Sequence, residues 1–129
     1  MIQGFHHIAI QCADIDKSIA FYTAIGGKLC RTWGEGNSRA CMIDFGKEDH
    51  LELFAAGAPN RPADKTIVHF AFRSTDTAAD FAKAIAAGAV ETKPVADFTI
   101  PSQPAPLSIR FAFCKGLDGE IIEFFQILA

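Results

Sequence analysis

Polar and apolar residues alternate along the first stretch of the chain, from Phe5 to Cys12. An alternation of period two predicts a β-strand, because successive side chains of a strand point to opposite faces. His7, Ala9 and Gln11 therefore share one face of this strand. The other face carries aliphatic residues and a cysteine.

The period then lengthens, which predicts a helix after this strand. Asp14 is a good N-cap, and the apolar residues behind it recur at helical spacing. Gly26 and Gly27 end the helix, because glycine accepts the left-handed conformation of a helix C-terminus. Alternating patterns then predict the last strands of a βαβββ module: Lys28–Trp33, Arg39–Phe45 and His50–Phe54.

The second half of the chain repeats this order. A strand over Ile67–Arg73 precedes a helix that Asp76 caps and Gly88 ends. Two later strands are predicted over Ser108–Cys114 and Glu120–Leu128. Between the helix and these strands, the apolar and proline-rich stretch Phe98–Pro106 is predicted to be a loop.

Matching segments indicate that the second half is a duplicate of the first. His7–Asp14 matches His69–Asp76 at an offset of 62, and Leu51–Phe54 matches Ile122–Phe125 at an offset of 71. Such self-similarity at several places indicates an internal repeat. We therefore predict an α+β fold in one domain of two tandem βαβββ modules, 1–57 and 67–129, with a linker at 58–66.

Length and composition restrict the class of protein. A chain of 129 residues is long enough for one domain with a single core. A net charge of −3 disfavours a nucleic acid partner, and no apolar run approaches the roughly 18 residues of a membrane helix. The cysteines lack CxxC spacing, which is typical of reduced core thiols. No signal peptide is visible, so we expect a cytoplasmic protein.

The duplication repeats one histidine and one glutamate. His7 matches His69, and Glu52 matches Glu123. Imidazole and carboxylate together suit divalent zinc, nickel, cobalt, manganese or iron. A single strand histidine is usually a core residue, and a single strand glutamate usually faces solvent. The recurrence of all four in register favours a metal site instead.

The chain resembles the vicinal oxygen chelate superfamily of glyoxalases, bleomycin resistance proteins and dioxygenases. The resemblance covers nearly the whole chain and is greatest to short bacterial glyoxalase I. Five motifs carry it: Phe5-His-His-Ile-Ala-Ile10, Asp14-Ile-Asp-Lys-Ser-Ile-Ala-Phe-Tyr22, His50-Leu-Glu-Leu-Phe54, Val68-His-Phe-Ala-Phe72 and Leu117-Asp-Gly-Glu-Ile-Ile-Glu-Phe124.

This resemblance implies a partly open eight-stranded barrel around a divalent metal ion. The ligand set of the family maps onto His7, Glu52, His69 and Glu123. Members of this size commonly form homodimers, with each site built from modules of two chains. Whether the site here lies in one chain or is shared stays open.

The implied activity is that of a metal-dependent lyase or isomerase of glyoxalase I type, with lactoylglutathione lyase as one form of it. A proton moves next to a carbonyl through a metal-stabilised enediolate. Glu123 is the first choice for the base and Glu52 the second. Arg110 or Arg39 would hold an anionic part of a small-molecule substrate.

Three other functions remain open from the sequence. An acyl-thioester epimerase uses the same enolate chemistry, and a ring-cleaving dioxygenase uses two histidines and one carboxylate on iron. The non-catalytic alternative is a module that binds a drug or metabolite. In that case Trp33, Phe98 and Phe111 would line an apolar pocket.

Overall fold

The computed structural model of the protein has the strand–helix order βαβββ twice, as predicted for an α+β fold. It describes residues 1–24, 26–58, 66–116, 119 and 121–129. The first set of elements is β1 (Ile2–Gln11), α1 (Ile15–Ala24), β2 (Lys28–Trp33), β3 (Ala40–Asp44) and β4 (His50–Phe54). The second set is β5 (Ile67–Ser74), α2 (Thr77–Ala86), β6 (Val90–Ile100), β7 (Leu107–Lys115) and β8 (Ile121–Ile127). A short 3-10 helix, Gly36–Ser38, precedes β3.

The structure divides into two units. The N-terminal unit consists of His7–Val68 together with Pro101–Pro106. The C-terminal unit consists of Met1–His6, His69–Ile100 and Leu107–Ala129. Strand β1 therefore contributes residues to both units.

Within the N-terminal unit, the strands are ordered β2-β3-β4-β1. Strands β1 and β4 are parallel, whereas β3 is antiparallel to both β2 and β4. One face of these strands packs on helix α1. The buried core between this face and the helix contains Cys12, Ile15, Cys41, Ile43, Leu53 and Ala55.

The C-terminal unit has the equivalent order β6-β7-β8-β5. Strands β5 and β8 are parallel, and β7 is antiparallel to β6 and β8. Its buried core contains Phe81, Ala112, Cys114 and Phe124. The same topology in both units is what a duplicated βαβββ module produces.

The predicted helix caps are present. The Asp76 carboxylate accepts a hydrogen bond from the Ala79 backbone N–H at 3.1 Å, and Asp14 accepts one from Lys17 at the same distance. These bonds satisfy donors that a helix N-terminus leaves without an internal partner. Gly26, which follows α1, has a φ of +118°, as expected for a glycine that ends a helix.

The predicted loop over Phe98–Pro106 is partly wrong. Strand β6 continues to Ile100, so only Pro101–Pro106 is a loop. Pro94 lies within this strand, where the pairing with β7 is irregular between Lys93 and Ala96. Proline is tolerated at such irregularities because no ladder hydrogen bond is required of it.

The loop Pro101–Pro106 pairs with strand β2. The Thr32 N–H donates to the Gln103 carbonyl at 3.0 Å, and the Gln103 N–H donates to the Thr32 carbonyl at 2.7 Å. The Arg31 guanidinium donates to the Ala105 carbonyl at 2.9 Å. The loop thus supplies partners for backbone groups of β2.

Two predicted features lie outside the described residues. They are the central part of the linker, 59–65, and most of the turn before the last strand, 117–118 and 120. Within the described part of the chain, no helix is long and apolar enough to cross a bilayer.

Candidate metal centre

His7 and Glu52 form a buried pair in the N-terminal unit. Ala9 on β1 is the register partner of Glu52 on β4. Because alternate residues of a strand share a face, His7 projects from the same side as Glu52. The His7 Nε2 atom lies 3.4 Å from the Glu52 Oε1 atom. His7 is 1% exposed and Glu52 is 6% exposed.

The C-terminal unit repeats this arrangement. Ala71 on β5 is the register partner of Glu123 on β8, and His69 lies two residues before Ala71. The His69 Nε2 atom is 3.0 Å from the Glu123 Oε2 atom. Both side chains are buried. The structure thus brings each predicted histidine to the predicted glutamate of its own unit.

The chemistry of both pairs fits a divalent metal ion. With metal–ligand bonds of about 2.1 Å, neighbouring donor atoms on one ion lie about 3.0 Å apart at a right angle and about 3.4 Å apart at a tetrahedral angle. The two nitrogen–oxygen distances, 3.4 and 3.0 Å, have these lengths. A buried carboxylate also needs a cation or hydrogen bonds to offset its lost hydration. The residues present therefore suit a metal such as zinc, nickel, cobalt, manganese or iron.

Apolar side chains surround each glutamate. Met42 on β3 is the register partner of Glu52 and is buried. Phe113 on β7 is the register partner of Glu123, and its ring stands edge-on to the His69 ring with centroids 5.3 Å apart. Sequence reasoning did not single out Met42 or Phe113, although their alternation with neighbouring residues places them on these faces.

The two predicted arginines both form ion pairs with aspartates. Arg110 binds Asp97 through two hydrogen bonds, from Nε at 2.6 Å and from Nη2 at 3.0 Å. The Arg110 guanidinium lowers the pKa of the Asp97 carboxyl below its usual value. Arg39 contacts Asp16 of α1 at 2.9 Å.

Arg110 lies on the face of β7 that is opposite to Glu123. Its register partner is Gln126, whereas Glu123 pairs with Phe113, and residues 110 and 113 point to opposite sides. The predicted contact of Arg110 with substrate stays a prediction, but this position does not favour it.

The three aromatic residues that were predicted to line a pocket lie on the faces that carry the histidine–glutamate pairs. Phe111 pairs with Phe125, which is on the Glu123 face. Trp33 pairs with Ala40, which shares a face with Met42 and so with Glu52. Phe98 pairs with Ile109, which in turn pairs with Ile127 on the Glu123 face. Phe98 is 53% exposed. All three rings share a face with the histidine–glutamate pair of their own unit, and their contact with a substrate stays a prediction.

Comparison with known proteins gives a family match over almost the whole chain. The model of the Glyoxalase/Bleomycin resistance protein/Dioxygenase superfamily matches residues 4–124. A curated relative, the uncharacterized protein YwbC of Bacillus subtilis (strain 168), is 30% identical over 131 residues. That match covers 98% of this chain and 99% of the relative.

Solved structures of the same fold include methylmalonyl-CoA epimerases. The enzyme of Mycobacterium tuberculosis is 20% identical, with a TM-score of 0.76 over 99% of this chain and 90% of that chain. A variant of the Streptomyces coelicolor enzyme, bound to 2-nitronate-propionyl-CoA, is also 20% identical, with a TM-score of 0.72 over 100% of both chains. At this level of identity the likeness concerns the fold. The family match and the duplicated βαβββ topology agree, and the chain belongs to the Glyoxalase/Bleomycin resistance protein/Dioxygenase superfamily.

Proposed function

We propose that this protein is a metal-dependent enzyme that moves a proton next to a carbonyl group, as a lyase or isomerase of glyoxalase type. The superfamily includes epimerases and glyoxalases, and its members typically bind a divalent metal and a small-molecule substrate. The observation that carries the proposal is the buried histidine–glutamate contact, which occurs once in each unit.

His7, Glu52, His69 and Glu123 would together hold one divalent ion. When bound, this ion supplies Lewis acidity, which stabilises negative charge on the carbonyl oxygens of a substrate. The support is chemical. Two ligands alone are fewer than the three or four that protein zinc sites use, and the duplication provides four.

Glu123 is the proposed base. It removes the proton from the carbon next to the carbonyl, and the electron pair of the broken C–H bond moves towards the carbonyl oxygen. The proton then returns from Glu123 to carbon. Glu123 is buried, and the Phe113 ring stands edge-on beside its partner His69.

Glu52 distinguishes two forms of the reaction. Isomerisation moves the proton between neighbouring carbons, so one carboxylate is sufficient. Epimerisation returns a proton to the opposite side of the same carbon and needs a second acid, for which Glu52 is the candidate. The fold shared with methylmalonyl-CoA epimerases makes this second form worth testing. Trp33 and Phe98 would contact apolar parts of the substrate.

The test is incorporation of solvent deuterium into carbonyl substrates by protein loaded with nickel, zinc, cobalt, manganese or iron. The panel contains the hemithioacetal of methylglyoxal and glutathione, and methylmalonyl-CoA as the acyl thioester. We expect exchange with at least one metal, and its loss in His69→Ala. If the protein binds these compounds but neither exchanges deuterium nor forms product, it is a binding module rather than an enzyme.

A further inference from the structure

A small cavity lies in the N-terminal unit, beside the ends of strands β1 and β4. Its volume is about 260 Å³, and Gln11, Phe54 and the residues around the 3-10 helix line it. This volume is slightly below the roughly 300–1,000 Å³ of pockets that hold drug-sized molecules. The cavity therefore suits a fragment of a few heavy atoms rather than a nucleotide.

The cavity adjoins the face that carries His7 and Glu52. Gln11 and Phe54 are register partners, two pairs beyond Ala9 and Glu52 in the same direction. Both project from that face, because they lie two residues further along their strands. The Cα atoms of Glu52 and Phe54 are thus separated by roughly 7 Å. Arg39 precedes Ala40, which shares the Glu52 face, and its guanidinium contacts Asp16 of helix α1. A substrate held at His7 and Glu52 would therefore have to pass the ends of the strands to reach it.

Of the four described polar residues that line the cavity, Arg39 has donors only, whereas Gln11, Asn37 and Ser38 can both donate and accept. Arg39 carries five guanidinium N–H groups, and its contact with Asp16 at 2.9 Å involves Nη1. That contact holds the guanidinium while leaving other N–H groups for a ligand. The Asn37 carboxamide also lines the cavity. Among the described residues that line it, none is an aspartate or glutamate.

The remaining lining is either apolar or already bonded. Phe54 and Ala55 provide carbon surface, and the Gln11 amide donates to the Ala55 carbonyl at 3.5 Å. The Ser38 hydroxyl donates to the Glu35 carbonyl at 2.7 Å. The cavity consequently combines one fixed cation with a short apolar wall, which complements a carboxylate on a short carbon chain.

We propose that this cavity binds the carboxylate of a small organic acid, with Arg39 as the main donor and Asn37 as the second. The substrate class is then a carbonyl compound whose free carboxylate lies on the order of 7 Å or more from its reacting carbon. The choice of substrate class rests on the proposed function, whereas carboxylate binding itself does not.

Propionate and propionamide are suitable probes, because they have nearly the same shape and differ in charge. Each is titrated into metal-free, ¹⁵N-labelled protein, and the signals of the Arg39 Nε–H and the Gln11 and Asn37 side-chain amides are followed. We expect saturable shifts with propionate, with a dissociation constant on the order of millimolar. Propionamide should bind about tenfold more weakly.

Variants separate a specific site from general attraction to positive charge. Arg39→Met should weaken propionate binding about tenfold, and Arg39→Lys should weaken it less, since lysine keeps the charge but lacks the fork of donors. Asn37→Ala removes the second donor and should weaken it severalfold. Lys83→Met, on the surface of helix α2, has the same net charge as Arg39→Met and should bind like the wild type.

The proposal is overturned if propionate and propionamide bind alike, if Lys83→Met weakens binding as much as Arg39→Met, or if propionate causes no shift up to on the order of 100 mM. Because the protein is metal-free in this titration, the result does not depend on proton transfer. Failure of the deuterium exchange alone would leave the carboxylate site standing.

Discussion

Two alanines explain how the histidine–glutamate pairs form. Ala9 is opposite Glu52, and Ala71 is opposite Glu123. Both alanines are fully buried. A larger side chain at either position would occupy the space that the histidine crosses diagonally to reach its glutamate, and overpacking a buried site typically costs about 1–3 kcal/mol. The match between these alanines in the repeat therefore has a packing reason.

The two glutamates should differ in what their replacement does to catalysis. Glutamine keeps an oxygen that can bind a cation but cannot take a proton at that oxygen with comparable ease. We expect Glu123→Gln to lower kcat about 10²–10⁴-fold, the usual contribution of a general base. The rate of product formation by metal-loaded protein gives this value.

Glu52→Gln then separates isomerisation from epimerisation. An isomerase should keep most of its exchange, whereas an epimerase should exchange deuterium on one side of the carbon and lose inversion. The exposed strand residue Glu91 provides the control, since Glu91→Gln should leave both rates unchanged. Equal losses in Glu52→Gln and Glu123→Gln, with metal content intact, would contradict the assignment of Glu123 as the single base.

The Cys41 thiol should make the fold less stable at high pH. Burial raises the pKa of Cys41 from its ordinary value of 9.0 to about 12. Between these values the unfolded chain releases the proton and the folded chain keeps it, so unfolding becomes more favourable as pH rises. The slope approaches about 1.4 kcal/mol per pH unit.

Urea unfolding at several pH values from 8 to about 10.5 measures this slope. Cys41→Ala should lose about 1 kcal/mol of stability at pH 8, yet its stability should decline less steeply with pH than that of the wild type. Other groups titrate equally in both proteins, so the difference in slope belongs to Cys41. Parallel curves for the two proteins would show that this thiol does not contribute.

At the level of elements, the loop Pro101–Pro106 pairs with the edge strand β2. Thr32 and Gln103 exchange two backbone hydrogen bonds. The Arg31 guanidinium and the buried Ser102 hydroxyl both donate to the Ala105 carbonyl, at 2.9 and 2.8 Å. Unpaired backbone groups at a sheet edge invite pairing with another chain. The loop covers part of that edge of β2.

Removing the Arg31 side chain should weaken the attachment of the loop Pro101–Pro106 to strand β2. Arg31→Ala should cost about 1 kcal/mol, the usual value of a partly exposed hydrogen bond, and should speed hydrogen exchange at the Gln103 amide. Hydrogen–deuterium exchange resolved by residue provides the measurement. Lys28→Ala, on the same strand, should leave Gln103 protected. Unchanged protection in Arg31→Ala would mean that the two backbone bonds hold the loop by themselves.

The sequence predicted those elements whose residues alternate or recur because one face is buried. The strands that carry His7 and Glu52 and the helices capped by Asp14 and Asp76 belong to this group. Strand β6, which extends to Ile100, was not predicted. It is exposed on both faces over most of its length. Its hydrogen bonds to β7 hold it rather than a buried face, and such pairing leaves no period in the sequence.

The same reasoning applies to the candidate site. The two histidine–glutamate pairs could be identified from the sequence, because duplication repeats them in register; that they bind a metal stays a prediction. The cavity beside Arg39 could not, since it depends on how the 3-10 helix meets the strand ends. The pairing of Gln103 with Thr32 could not be predicted either, because these residues are far apart in the chain and share no pattern.

For the whole molecule, the number of ligands in each unit determines what a metal can do. Each unit offers one imidazole and one carboxylate, and protein zinc sites normally use three or four protein ligands. A single unit would therefore bind an ion weakly. If all four residues serve one ion, the loss of a histidine in either unit removes the same ion.

We expect purified protein to hold about one divalent ion per chain, as measured by elemental mass spectrometry, and expect His7→Ala and His69→Ala each to lose it. When the free ion concentration is about 100 times the dissociation constant, binding adds about 2.7 kcal/mol to the free energy of unfolding. This should raise Tm by about 10 °C relative to chelator-treated protein. His50→Ala, a strand histidine outside the set, should keep both the ion and the higher Tm. Retention of an ion in only one of the first two variants would mean that a single unit binds metal by itself. No ion in the wild type, even after reconstitution, would mean that both buried pairs are held by hydrogen bonds between imidazole and carboxylate.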